Sequence, residues 1–217
     1  MDIKDYLKVY LVTDRGLSRG RSVEEVVLKA VRGGATIVQL REKEASTLDF
    51  YRLALRVKTA LTGTGVPLII NDRVDIALAV DADGVHIGQS DMPYPVARRL
   101  LGYDKIIGLT TDTFEELETA NAYNIDYVAF QAYSTTTKPD AVEGFGPEGL
   151  KKAVALTNHP LVAIGGIHLD NAETVARTGV DGIAVVSEIM SAENPGLAAE
   201  NLCRAFEAGH PKKRRAP

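Results

Sequence analysis

Eight short apolar, β-branched runs recur along the chain at nearly even spacing, at residues 9–12, 36–40, 68–70, 85–87, 106–109, 127–130, 161–164 and 183–186. No other feature limits the fold as much, because runs of this length bounded by turn residues read as buried strands. The intervals between them carry helical periodicity and helix start signals. Ser22 stands three residues before Glu25, Thr113 three before Glu116, and Asn194 is followed by Pro195, the patterns of capping boxes and of proline at the first helical position. Eight strand-helix units in 217 residues average about 27 residues each, near the lower limit for a closed (β/α)8 TIM barrel. The rival is a doubly wound open sheet. It is disfavoured because no Gly-x-Gly-x-x-Gly follows the first run, whereas Gly165-Gly166 and Ser187 follow the last two, where barrels bind phosphate. The sequence thus predicts an α/β fold, a single (β/α)8 barrel over residues 1–207, with a basic, disordered tail over 208–217.

Composition removes several function classes. With a formal charge of -4 and 25% charged residues, the chain lacks the basic stripe that displaces counterions from nucleic acid. The exception is the terminal Lys212-Lys213-Arg214-Arg215. No run approaches the roughly 18 to 20 apolar residues of a membrane helix, and the opening MDIKDYLKVYLVTDRG is too charged for a signal peptide. Neither a membrane nor nucleic acid is an expected partner, and a cytoplasmic location is. The lone Cys203 excludes an intramolecular disulfide and paired-thiol redox chemistry. It belongs to the stripe Ala199, Leu202, Cys203, Phe206, which reads as core packing on the last helix. His86, His159, His168 and His210 show no ligand spacing, and no Ser-His-Asp arrangement is legible. The sequence is silent on a homo-oligomer.

In a barrel the chemistry gathers at the C-terminal ends of the strands, and those ends are polar here. Asp72 and Asp91 follow the third and fourth runs. Adjacent strands lie about 4.8 Å apart, so the two carboxylates can converge on one hard cation, for which magnesium is the natural candidate. Arg41 and Lys43 alternate after the second run, and Lys138 closes a Thr-Thr-Thr-Lys loop after the sixth. Three cations facing two carboxylates suit a metal-diphosphate that departs as an anion. Gly165-Gly166 and Ser187 imply a second phosphate site. The plain alternatives are solvated loop acids, a ring of salt bridges and a structural Gly-Gly turn. Two anion sites in one mouth fit an enzyme that joins a diphosphate donor to a phosphorylated acceptor.

The strings Tyr10-Leu11-Val12-Thr13-Asp14, Val38-Gln39-Leu40-Arg41-Glu42-Lys43, Ile70-Asn71-Asp72-Arg73-Val74-Asp75, Gly84-Val85-His86-Ile87-Gly88-Gln89-Ser90-Asp91, Thr135-Thr136-Thr137-Lys138, Ala163-Ile164-Gly165-Gly166-Ile167 and Gly182-Ile183-Ala184-Val185-Val186-Ser187 resemble the thiamine phosphate synthase family over about residues 8–207. The resemblance implies a magnesium-dependent transferase. It would couple 4-amino-2-methyl-5-(diphosphooxymethyl)pyrimidine to a thiazole phosphate, or its carboxylate, giving thiamine phosphate and pyrophosphate. Carried across, it places the pyrimidine diphosphate on Gln39, Arg41, Lys43, Asn71, Thr110 and Lys138, with Arg41, Lys43 and Lys138 as the catalytic cations and magnesium on Asp72 and Asp91. The thiazole phosphate falls on Thr135, Thr136, Thr137, Gly166, Val186 and Ser187. The implied mechanism is dissociative and needs no protein nucleophile. Two departures stand out. Gln131-Ala132-Tyr133-Ser134 replaces the family's Gly-Pro-aromatic-Pro and is one residue short, and Thr110-Thr111-Asp112 replaces Ser-x-His.

Three other readings compete. A thiazole tautomerase-like paralogue would not need Asp72, Asp91, Arg41 and Lys43 together. A non-catalytic ligand-binding or regulatory barrel would bind both substrates without releasing pyrophosphate. A sugar-phosphate isomerase would leave the carboxylate pair without a purpose.

Overall fold

Each strand runs four to six residues and is sealed by parallel pairing on both sides, so the backbone has no open edge. The computed structural model describes residues 2–134 and 144–210. The strands are β1 (Val9–Val12), β2 (Ile37–Leu40), β3 (Leu68–Asn71), β4 (Gly84–Ile87), β5 (Ile106–Thr111), β6 (Tyr127–Gln131), β7 (Leu161–Ile164) and β8 (Gly182–Val185). They close in sequence order, β8 returning to β1 through Val9 opposite Ile183 and Tyr10 opposite Ala184. The expected (β/α)8 barrel is what the chain forms.

The helices are α1 (Lys4–Leu7), α2 (Val23–Arg32), α3 (Thr47–Leu61), α4 (Val74–Ala79), α5 (Tyr94–Leu101), α6 (Phe114–Ala120), α7 (Gly146–Leu156), α8 (Leu169–Ala176), α9 (Ser187–Met190) and α10 (Pro195–Gly209). Their starts follow local chemistry. The Ser22 and Thr113 hydroxyls accept from the Glu25 and Glu116 amides, and Asn194 Oδ1 accepts from the Leu197 amide. Glu116 reaches past its cap to accept from the Asp112 amide at 2.7 Å, which pins the exit of β5. Helix α10 lies across α8 and α2 and continues to Gly209. Residues 211–217 of the basic tail lie outside the described residues.

Alternation along each strand splits the core in two. Val9, Leu11, Val38, Leu40, Ile70 and Val85 pack outward under the helices, whereas Tyr10, Val12, Ile37, Ile69, Tyr127, Val162 and Ala184 fill the barrel, with Leu7 plugging its floor. Gly182 makes that plug fit, because a Cβ there would sit 1.7 Å from the Leu7 carbonyl oxygen. The floor is also clamped four times over. The amides of Val9, Leu68, Ile107 and Leu161 donate to the side chains of Thr36, Asp83, Asp126 and Asp181, at 2.8 to 3.1 Å. Each clamping residue returns its own amide to the carbonyl of the residue it holds.

Candidate active site

At the far end of the barrel the same alternation brings polar residues inward. With Val38 and Leu40 facing the helices, Gln39 faces the interior, and by the same register so do Asn71 on β3, Thr110 on β5 and Gln131 on β6. Gln39, Asn71 and Gln131 are buried although polar, which calls for partners or a ligand. Beyond β2 the chain is held by Thr13, whose hydroxyl accepts from the Arg41 amide at 3.0 Å. Among the described residues the Arg41 guanidinium enters no ion pair.

Lys43 and Asp72 meet across the tops of β2 and β3, Nζ to Oδ2 at 2.5 Å. Asp72 holds a left-handed backbone, φ 62°, and donates its amide to the His86 carbonyl. A non-glycine residue in that region is uncommon and concentrates at functional positions. Asp91 is drawn back over β4 by the Gly88 amide, which donates to its Oδ2 at 2.7 Å. Burial, and then the adjacent Asp72 carboxylate, push the Asp91 carboxyl above its ordinary range, against the Gly88 hydrogen bond and Lys43. The structure thus brings Asp72, Asp91 and Lys43 together, as the charge pattern predicts. Two converging carboxylates of which one is reluctant to ionise form a site that a cation would relieve. No group of three or more His, Cys, Asp or Glu among the described residues could hold a metal. A cation here would draw its other ligands from substrate phosphates and water, which is how magnesium is commonly held.

Gly165 and Gly166 adopt φ 93° and 57° after β7. The turn packs against the exit of β6, where a Cβ on Gly166 would lie 2.8 Å from Tyr133 Cβ and 2.9 Å from the Ser134 carbonyl oxygen. The glycines therefore have a structural need of their own. Val186 and Ser187 follow β8 at the head of α9. Thr135, Thr136, Thr137 and Lys138 lie outside the described residues.

Sequence reasoning passed over two groups. Glu42, between the two cations of the β2 exit, pairs with Arg15 at 3.2 Å, and its Oε1 is buried with no partner among the described residues. Burial outweighs Arg15 and raises the Glu42 carboxyl. The second group is Tyr10, Tyr127 and His86 inside the barrel, hydrogen-bonded in series between Gln39 and Thr110. The signal available was Gly108, a glycine within a strand, which marks close approach of another group.

Fold and mouth together define a class, the (β/α)8-barrel enzymes that work on phosphorylated small molecules at the C-terminal ends of their strands. The family model described as thiamine monophosphate synthase matches residues 9–189. The chain is 52% identical over 196 residues to the thiamine-phosphate synthase of Vibrio parahaemolyticus, covering 90% of this chain and 96% of that one. It is 50% identical to that of Syntrophomonas wolfei, covering 94% and 97%. A solved structure of thiamine phosphate pyrophosphorylase from Pyrococcus furiosus superposes with a TM-score of 0.87 at 39% identity, over 95% of this chain and 98% of that one. The chain belongs to the thiamine monophosphate synthase family.

Proposed function

We infer that this chain makes thiamine phosphate, transferring the pyrimidinylmethyl group of 4-amino-2-methyl-5-(diphosphooxymethyl)pyrimidine to the ring nitrogen of a thiazole phosphate and releasing pyrophosphate. Family membership over nearly the whole chain supports this reading. The observation that carries it is the convergence of Asp72, Asp91 and Lys43 at the mouth.

Asp72 and Asp91 are the residues that would hold magnesium, which when bound offsets the charge of the diphosphate. Arg41 and Lys43 grip the diphosphate from β2, the guanidinium in a planar fork and the ammonium as a point charge. Lys138 adds a third cation, and Gln39, Asn71 and Thr110 orient the pyrimidine. The carbon-oxygen bond to the diphosphate breaks with both electrons leaving on oxygen, and the exocyclic amino group delocalises the resulting methylene cation. The thiazole nitrogen then donates its lone pair to that carbon. Thr135, Thr136, Thr137, Gly166, Val186 and Ser187 hold the thiazole phosphate so that the nitrogen lies in near-attack geometry. No step needs a protein nucleophile. Barrel and substrates suit a cytoplasmic enzyme, and no helix of the described residues is long and apolar enough to cross a membrane.

The deciding experiment supplies both substrates to purified protein with magnesium and then with excess chelator. Equimolar pyrophosphate and thiamine phosphate, abolished by chelator, is the expected result. Arg41→Ala should lower turnover by about 10² to 10³. Binding of both substrates without any product would overturn this reading in favour of a regulatory barrel.

A further inference from the structure

A chain of hydrogen bonds crosses the barrel interior beneath the mouth. Gln39 Nε2 donates to Tyr10 Oη at 2.9 Å, and Tyr10 Oη lies 2.7 Å from Tyr127 Oη. Tyr127 Oη lies 2.9 Å from His86 Nδ1, and His86 Nε2 lies 2.7 Å from Thr110 Oγ1. Four strands beyond β2 contribute, so nothing local in sequence dictates the arrangement. The space for it is built: a Cβ on Gly108 would sit 2.0 Å from Tyr127 Cζ and 2.6 Å from His86 Nδ1. His86 stacks on the Tyr127 ring at 5.6 Å, and Tyr10 meets the same ring edge-on at 5.8 Å. Burial pushes both phenols far above their ordinary range, so each keeps its single proton.

Proton counting then leaves little freedom. A phenol has one proton and a neutral imidazole has one N–H. Because Gln39 donates to Tyr10, the Tyr10 proton goes to Tyr127, and the Tyr127 proton goes to His86 Nδ1. His86 therefore carries its own proton on Nε2 and donates to Thr110, whose hydroxyl proton is turned away from the imidazole. The complete reversal, with the Gln39 carbonyl towards Tyr10, is the other self-consistent order. Every mixed order either sets like against like or makes one phenol oxygen accept from both neighbours and strands its proton, and each leaves a polar group unsatisfied.

We propose that Tyr10, Tyr127 and His86 are positioning residues that lock the amide orientation of Gln39 to the hydroxyl orientation of Thr110, so that the mouth presents a Gln39 carbonyl acceptor together with a Thr110 hydroxyl donor. This rests on the assignment of Gln39 and Thr110 to the pyrimidine. An aminopyrimidine edge offers an N–H donor beside a ring-nitrogen acceptor and complements that pair. An oxo-pyrimidine offers the opposite pair and would need the whole series reversed. The relay thus makes the amino form the accepted substrate, because a mismatched polar pair is rejected far more strongly than a missing methylene.

The first test needs no substrate. In protein labelled with 15N-histidine, the His86 signals, identified by their loss in His86→Asn, should show the proton on Nε2 and a bare, hydrogen-bonded Nδ1. A proton on Nδ1 in the wild-type protein overturns the proposed order. The second test compares Tyr10→Phe, Tyr127→Phe and the double variant, each of which removes hydroxyls while keeping the rings. Each single change should raise KM for the pyrimidine diphosphate about tenfold, leaving kcat and the acceptor KM within about twofold. The double variant should be no worse than either single one, since a series broken once is already broken. Multiplying effects, about a hundredfold in KM, would instead mean two independent packing roles. If the wild-type protein forms no thiamine phosphate, the functional reading fails while the tautomer measurement still decides the order of the relay.

Discussion

Asp72→Asn separates catalysis from stability with a single atom type. The amide keeps the shape of the carboxylate and removes its charge. Asparagine also tolerates the left-handed backbone at this position, φ 62°, whereas alanine would add strain of about 1 kcal/mol. In stability terms little is lost. The Lys43–Asp72 contact joins side chains 51% and 20% exposed, a setting in which an ion pair contributes about 1 kcal/mol or less. The loss is offset because Asp91 no longer faces a second carboxylate and its pKa moves back towards the ordinary range, burial remaining the larger cause of its elevation. The net change should stay within about 1 kcal/mol, or about 2 to 4 °C in Tm for a chain of this size. In catalysis the loss is one of two charges that hold the cation against a departing diphosphate. An electrostatic contribution of that kind amounts to about 3 to 4 kcal/mol at the transition state, or about 10² to 10³ in kcat. The assay is continuous pyrophosphate release with both substrates saturating, across a magnesium series, paired with urea unfolding of the same samples. Turnover within about threefold of wild type at every magnesium concentration would refute the metal-holding role. Destabilisation above about 3 kcal/mol would show that Asp72 acts through the fold instead.

Two further outcomes follow from buried charge. Because the folded protein holds the Glu42 proton more tightly than the unfolded chain does, wild-type stability should fall as pH rises from the ordinary glutamate range through the raised value. Glu42→Gln should therefore unfold at a higher temperature than wild type at neutral pH, the gap closing below about pH 4. A gap that widens on acidification would contradict the burial argument. Arg98 is buried and donates to the Asn124, Gly102 and Lys105 carbonyls and to Asp126 at 2.7 to 3.2 Å. Arg98→Met should cost about 3 to 5 kcal/mol in urea unfolding, and a loss under about 1 kcal/mol would show those acceptors to be satisfied by solvent.

The barrel is written openly in the chain because its outer face is apolar and periodic. The run at 161–164 coincides with β7 end to end, whereas β5 extends two residues beyond the apolar run, to Thr111. That discrepancy is physical. Where a strand enters the mouth its inward residues turn polar, and apolar runs stop marking it. The charged part of the site was legible for the same reason, since Arg41 and Asp72 directly follow β2 and β3, and Lys43 and Asp91 stand within the first turn of loop after β2 and β4. The Tyr10, Tyr127 and His86 series was not. Its members come from β1, β6 and β4, they look like ordinary core residues, and their meeting depends on barrel closure and on the missing side chain at Gly108. The orphaned oxygen of Glu42 was equally hidden, because burial of one atom cannot be read from neighbours in sequence.

The four clamps on the barrel floor make the closed sheet mechanically uneven. Thr36, Asp83, Asp126 and Asp181 each bind the strand that comes immediately before in the chain, so the barrel is riveted as β1 with β2, β3 with β4, β5 with β6 and β7 with β8. At the alternate seams the floor amides donate to backbone carbonyls instead, as from Val38 to Pro67, Ile106 to Asp83, Val128 to Pro160 and Ile183 to Lys8, and the ion pairs that cross there, Lys4 with Asp181 and Lys105 with Asp81, hold no strand amide. Each rivet joins residues between 15 and 27 positions apart, so it can close early, before distant parts of the chain have met. The protein is in this sense an assembly of four quarter-barrels, and its lines of parting run between the quarters. Amide exchange should record this as earlier opening at Val38, Ile106, Val128 and Ile183 than at Val9, Leu68, Ile107 and Leu161. Uniform protection around the ring would show that the rivets carry no such division.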